Sequence, residues 1–277
     1  MFPIIIQGLL LSGLYALIAM GFMLIFSIGR TLNLAYGAYL MIGGYVYFWI
    51  SQQLGFPQII GFFGAIAVGI LMGLMKYQFI VRPLKGHHVA VEISTLILAV
   101  VLQAGIVLVF GDSSKILLPI VPGVVRVAGA TVTYSILTAT VISWLIITIL
   151  YLFVRRTHTG RAMQAVSMDQ KGAAISGVDG DRINLITWGL SGALGAIGGV
   201  FFASYTQLSP AMWVAPLIIS VAIVIVGGIG SYRVPRSDRG FRVGPRITGC
   251  VHYAFDHWRA HCQAPGVVWA RRELRWS

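Results

Sequence analysis

The residues best suited to chemistry are few and scattered. His87, His88 and His158 fall in polar stretches or at helix ends without a partnered nucleophile, so no catalytic constellation forms. No phosphate loop of the form GxxxxGK[ST] occurs, and the chain itself is not expected to hydrolyse ATP. Cys250, His252, His257, His261 and Cys262 are zinc-ligand types crowded near the C-terminus. Their spacing, C-x-H-x₄-H-x₃-H-C, matches no established zinc finger, and no metal or other cofactor is expected. Nine arginines with Trp258, Trp269 and Trp276 in that same stretch could be read as a nucleic-acid or anionic-lipid surface, but no nucleic-acid partner is expected and membrane lipid is the surrounding medium. Glu92 is read as the one ionisable residue inside an apolar run; ionisable groups in that setting mark ion or proton paths. It stands only one turn inside its helix, which favours a structural carboxylate.

The composition explains this scarcity. Of 277 residues, 57% are hydrophobic and 10% charged, against about 25% charged in soluble domains. The chain is therefore expected to be an all-α, polytopic transmembrane helix bundle. Its 33 glycines suit that class, because glycine lets membrane helices approach closely. The formal charge of +12 divides unevenly. Residues 1–231 hold eleven basic and five acidic side chains, whereas the last 46 residues hold nine and three. All nine of the latter are arginines, and all four lysines precede residue 232.

A spanning helix needs about 20 apolar residues. Seven segments meet that measure: 4–28, 34–54, 58–81, 89–110, 133–154, 183–207 and 212–229. Strict alternation puts eight basic residues of the interhelical loops on one side and two, Lys115 and Arg126, on the other. The positive-inside rule then makes the first side cytoplasmic and the N-terminus external. The segment 111–132, with Pro119, Pro122 and Gly123, reads as an extended external loop. No cleavable signal peptide is expected, because MFPIIIQG lacks a basic start and the first apolar run is long enough to span.

The longest polar interruption is 155–182, RRTHTGRAMQAVSMDQKGAAISGVDGDR. A loop of this charge cannot lie in hydrocarbon. Good helix formers from Gly160 onward predict one short helix over 160–177, with Gly177 as its stop. Inside the spans, Asn33 is read as a cap of the second helix or a residue of the translocation path. Ser94 and Gln103 are read as interhelical hydrogen-bonding groups or path residues. Ala65, Gly69 and Gly73, like Gly195 and Gly199 beside Gly192 and Gly198, recur at the spacing of close-packing helix faces.

Several stretches, in order along about 230 residues, carry a family resemblance. They are GLYALIAMGFMLIFSIGRTLNLAYGAYLMIGGYV (13–46), RPLKGHH (82–88), VLQ (101–103), GRAMQAVSMDQKGAAISGVDGDRINLITW (160–188) and AIVIVGGIGS (222–231). The chain resembles the permease subunits of branched-chain amino acid ABC importers. One departure is Leu34-Ala35-Tyr36-Gly37, where the family often has Phe-Ala-His-Gly. The resemblance implies an inner-membrane permease paired with a second permease, two cytoplasmic ATPases that bind the ATP, and a periplasmic substrate-binding protein. It implies that 155–182 is the ATPase-coupling loop, with Gly160, Arg161, Ala165, Ala173, Ala174 and Gly177 the residues a partner groove would accept. Related permeases for urea or short amides share these motifs, and a stand-alone secondary transporter is the competing class.

The family continues into further apolar helices after Ser231, and this chain does not. Residues 1–231 are thus expected to form the permease domain, incomplete at its end, and 232–277 a basic, disordered tail. The abrupt change to arginine, cysteine and tryptophan suggests translation in a shifted frame, and with it a defective permease as a third possibility.

Overall fold

A computed structural model describes residues 2–29, 31–118, 123–127 and 130–228. Arg30, Pro119, Pro122 and the whole tail 232–277 lie outside these residues, and with them the expectations about the tail's zinc-ligand types, disorder and reading frame. Residues 1–224 form one compact unit, and the last helix runs four residues beyond it.

The described architecture is helical. Helix α1 is Phe2–Gly29, α2 Tyr36–Phe48, α3 Gln58–Lys76 and α4 His88–Phe110. Single π-helical turns, Trp49–Gln53 and Tyr77–Val81, extend α2 and α3. Helix α5 is Tyr134–Arg156, α6 His158–Met168, α7 Gln170–Ile175, α8 Gly180–Thr206 and α9 Val214–Gly228. Among the described residues, α1, α3, α4, α5 and α8 are long and apolar enough to cross a membrane. The two other expected spans, 34–54 and 212–229, correspond to shorter helices, so the expectation of seven full-length spans is met by five long helices and two short ones.

The packing follows from side-chain spacing. Helix α8 is the centre: 83% of its most apolar window is buried, against 11% for α4. The peripheral helices bury one narrow face each. In α3 this face is Gly61, Ala65, Gly69, Gly73 and Lys76; in α4 it is Val91, Thr95 and Ala99. The four-residue recurrence places these groups on one stripe. The opposite face of α4, with Ile93, Leu96, Ile97, Val100 and Val101, is exposed and apolar, as a lipid-facing surface requires.

Helix α2 is apolar on all sides and enclosed on all sides, since eleven of its thirteen residues are buried. Glycine admits it to α8: a Cβ on Gly43 would lie 2.6 Å from the Ala196 Cα. The same device seats α3 on α8, where a Cβ on Gly69 would lie 2.5 Å from the Gly192 carbonyl oxygen. The α3 face read from the sequence therefore meets Gly192 of α8, whereas Gly195 and Gly199 face α2 and Gly198 faces Ile18 of α1.

At the end of the bundle away from α6 and α7, Lys115 and Leu208 exchange backbone hydrogen bonds of 2.8 and 3.0 Å. The Tyr47 hydroxyl donates to the Leu118 carbonyl at 3.2 Å. These contacts tie the 111–118 segment across the helix ends. The loop expected to be simply extended contains an antiparallel hairpin, Val124–Val127 with Ala130–Thr133, in register Val124↔Thr133.

Candidate functional site: the polar end of the bundle

The polar stretch 155–182 folds as two helices rather than the single helix expected over 160–177. Asp169 makes the break. Its backbone is extended (φ −149°, ψ 110°), and its Oδ1 accepts from the Lys171 N–H at 3.0 Å, capping α7. Thr157 caps α6 by accepting from Gly160 N–H at 3.0 Å. Asp179 caps α8 by accepting from the Asp181 and Arg182 N–H groups at 2.9 and 3.3 Å. Gly177 stands just after α7 at φ +81°, a conformation that favours glycine. Summed helix propensity pointed to one helix because it does not register an aspartate that caps from within.

One side of this helix pair rests on the bundle. Met163, Val166 and Ala173 form a core with Ile28 of α1 and Ile183 of α8. The Gln170 side-chain amide donates to the Ile28 carbonyl at 3.2 Å. Gly160 is buried, and a Cβ there would strike the Phe153 and Val154 carbonyls of α5. The other side is open: Arg161, Ala174 and Gly177 are exposed, and Ile175 is 89% exposed. The reading of the small residues as one partner-facing set is corrected here. Ala173 is 5% exposed and turned inward, and Ala165 is half-buried against the same core. A six-residue helix has an inner and an outer face, and adjacent alanines fall on different ones.

A cluster of charge joins this end to the α3–α4 turn. Asp181 in the first turn of α8 pairs with Lys85, stands 3.7 Å from Arg82 Nε, and accepts from the Tyr77 hydroxyl at 3.3 Å. Its place at a helix N-terminus adds favourable dipole interaction. Burial lowers the Lys85 pKa from its ordinary value, the neighbouring Arg82 lowers it further, and Asp179 opposes both.

Within the bundle, Glu92 is partly buried and its Oε1 accepts from the Leu32 N–H at 3.2 Å. Thr95 Oγ1 accepts from the Leu34 N–H at 3.2 Å. Both side chains satisfy the irregular backbone between α1 and α2, which hydrocarbon could not. Gln103 bonds outside its own helix, accepting from Nε1 of Trp213, in the turn directly before α9, at 2.8 Å. Ser94 does not: its hydroxyl donates to Val91 O of its own helix at 2.9 Å. Nor does Asn33 cap α2, whose N-cap is Ala35 with no side-chain bond. The Asn33 side chain instead accepts from Lys76 Nζ.

Lys76 corrects the reading of Glu92 as the one ionisable residue inside an apolar run. It is 3% exposed, and its Nζ lies 5.4 Å from the Tyr39 ring centroid and 5.1 Å from that of Trp188. Its place in the last turn of α3, six residues before Arg82, made it easy to read as an interfacial lysine.

Comparison with known proteins agrees with this architecture. A profile of the family described as branched-chain amino acid transport system / permease component matches residues 4–236. The high-affinity branched-chain amino acid transport system permease protein LivH of Escherichia coli K12 is 29% identical over 241 residues, covering 81% of this chain and 78% of that protein. The "Probable branched-chain amino acid transport permease protein LivH" of Methanocaldococcus jannaschii is 27% identical over 276 residues, covering 95% of this chain and 84% of that protein. That alignment necessarily reaches into 232–277, where resemblance was expected to stop. The fructose import permease protein FrcC of Rhizobium meliloti is 23% identical over 235 residues, covering 79% of this chain and 61% of that protein. No solved structure matches. An apolar helical bundle with polar helices packed at one end, matched by this profile over most of its length, makes the chain a multi-pass membrane protein of the branched-chain amino acid transport permease family.

Proposed function

We propose that the chain is a membrane-spanning subunit of an ATP-driven importer for branched-chain or similar amino acids. It would sit in the bacterial inner membrane with its N-terminus outside. It would work with a second permease, two cytoplasmic ATPases and a periplasmic binding protein. The observation that carries this reading is the division of the α6–α7 pair into two faces. The inner face is built into the ends of α1 and α8, and the outer face offers Ile175 and Ala174 beside exposed basic residues. An apolar side chain standing free outside the bundle suits insertion into a partner's pocket. Movement of a docked ATPase would then reach α1 and α8 through a packed core rather than through a flexible tether.

The name of the fructose permease relative favours a second reading, in which the same framework carries a different small solute. Both are tested in membrane vesicles holding the chain with its partner subunits. Uptake of labelled leucine that requires ATP and disappears when the ATPases are omitted is the expected result. Uptake that persists without the ATPases would make the chain a stand-alone carrier. ATP-dependent uptake of a sugar or amide but not leucine would favour the second reading.

A further inference from the structure

We infer that Lys76, Asn33 and Tyr39 form a closed station for a carboxylate. This deepens the importer reading above and rests on it, since the carboxylate would be that of the transported amino acid.

The ammonium of Lys76 is buried, and among the described residues its one hydrogen-bond partner is the neutral Asn33 Oδ1. The carboxylates at this end are engaged elsewhere: Asp181 with Arg82, Lys85 and Tyr77, Glu92 with the Leu32 N–H, and Asp169 and Asp179 as helix caps. The rings of Tyr39 and Trp188 flank the charge without supplying an acceptor. Buried charges are ordinarily paired, and an apolar side chain of similar volume often serves a core as well or better.

The surroundings of Lys76 add a second, independent observation. Asn33 and Tyr39, each 1% exposed, face one another, and beyond that mutual contact neither Asn33 Nδ2 nor the Tyr39 hydroxyl has a hydrogen-bond partner among the described residues. Among the described residues this cluster therefore offers spare donors from three side chains, one of them an amine that a bound carboxylate would hold protonated, and no negative acceptor. Donors without an acceptor are complementary to an anion, and a carboxylate has two oxygens able to take several such bonds.

The pocket also lies where helices are interrupted. Asn33 belongs to the irregular segment between α1 and α2, and Lys76 directly precedes a π-helical turn. In this arrangement the station is shut. Gly69 and Gly73 hold α3 directly on the α8 backbone at Gly192 and Trp188. An amino acid would reach Lys76 only when α3 and α8 part.

The test uses leucine uptake by the full importer in vesicles, with protein abundance and thermal melting read alongside. Lys76→Met should be inserted and melt at or above the wild-type temperature yet lose leucine uptake by at least about tenfold, because the charged recognition is gone. Lys76→Arg should keep part of the uptake. Asn33→Asp places an internal carboxylate beside Lys76 and keeps the charge paired. It should be inserted normally and lose uptake by a similar factor, which leaves the idea testable if Lys76→Met fails to insert. Uptake by either inserted variant within about twofold of wild type would overturn the station while leaving the importer reading intact. A wild-type assembly that moves no leucine would overturn the importer reading and the station with it.

Discussion

Gly69 of α3 and Gly192 of α8 touch backbone to backbone. A Cβ on Gly69 would stand 2.5 Å from the Gly192 carbonyl oxygen and 2.6 Å from the Ala196 Cβ. Two of the three nearest atoms are helix backbone and the third is an alanine methyl, so none can turn aside. Gly69→Ala should therefore destabilise the bundle by about 1–3 kcal/mol, the usual cost of overpacking. Gly105→Ala is the control, because nothing lies within 4 Å of its added methyl and alanine is the better helix former. Thermal melting in detergent should fall for the first and hold or rise for the second. Equal melting of both would mean that the helices do not meet at this seam.

The two faces of α7 give opposite expectations for residues two apart. Ala173→Trp overfills the core of Ile28, Val166 and Ile183 and should lower stability by about 1–3 kcal/mol. Ile175→Asp changes an 89% exposed side chain and should alter stability by no more than about 0.5 kcal/mol. It should still lower ATP-dependent uptake at least about fivefold, as loss of an interface anchor does. Unchanged uptake with normal abundance would remove Ile175 from the proposed ATPase contact.

Sidedness is checked with single cysteines in a background lacking Cys250 and Cys262. Ser114 and Ser176 are both exposed, at opposite ends of the bundle. A membrane-impermeant maleimide should label Ser114→Cys in intact cells and Ser176→Cys only after permeabilisation. The reverse pattern would invert the proposed orientation, and labelling of both from outside would contradict the alternation of spans.

Gln207, directly after α8, has φ +98°, a region that glycine occupies readily and other residues rarely. It is held there between the end of α8 and Leu208, whose backbone is bonded to Lys115. Gln207→Gly should keep or raise the melting temperature, because relief of strain offsets the added freedom of the unfolded chain. A β-branched residue suffers more there, and Gln207→Ile should cost about 1–2 kcal/mol. A drop for the glycine variant and none for isoleucine would show that the turn is unstrained.

The sequence by itself determined the class of the molecule. Runs such as 58–81 and 89–110 leave too little polarity for a soluble fold, and long apolar stretches have few ways to satisfy their backbone except as helices. The recurrence of Ala65, Gly69 and Gly73 likewise named a packing face before any partner was known, because small residues at four-residue spacing have a geometric meaning of their own. The polar stretch 155–182 was visible as a surface element for the same kind of reason: its charge could not be buried.

Tertiary structure decided which side of each element faces what. Ala173 and Ala174 are the same residue type in adjacent positions, and only the docking of α7 on Ile28 and Ile183 turns one inward and the other out. Asn33 was legible as a polar residue at a helix start, but its partner is Lys76, 43 positions away. Lys76 itself looked interfacial, since six residues separate it from Arg82 and a lysine can extend toward water from such a depth. Its burial depends on Tyr39 and Trp188 closing over it from two other helices. Local spacing carries periodicity and polarity; burial of a particular side chain is set by contacts between segments distant in the chain, which is information that spacing does not hold.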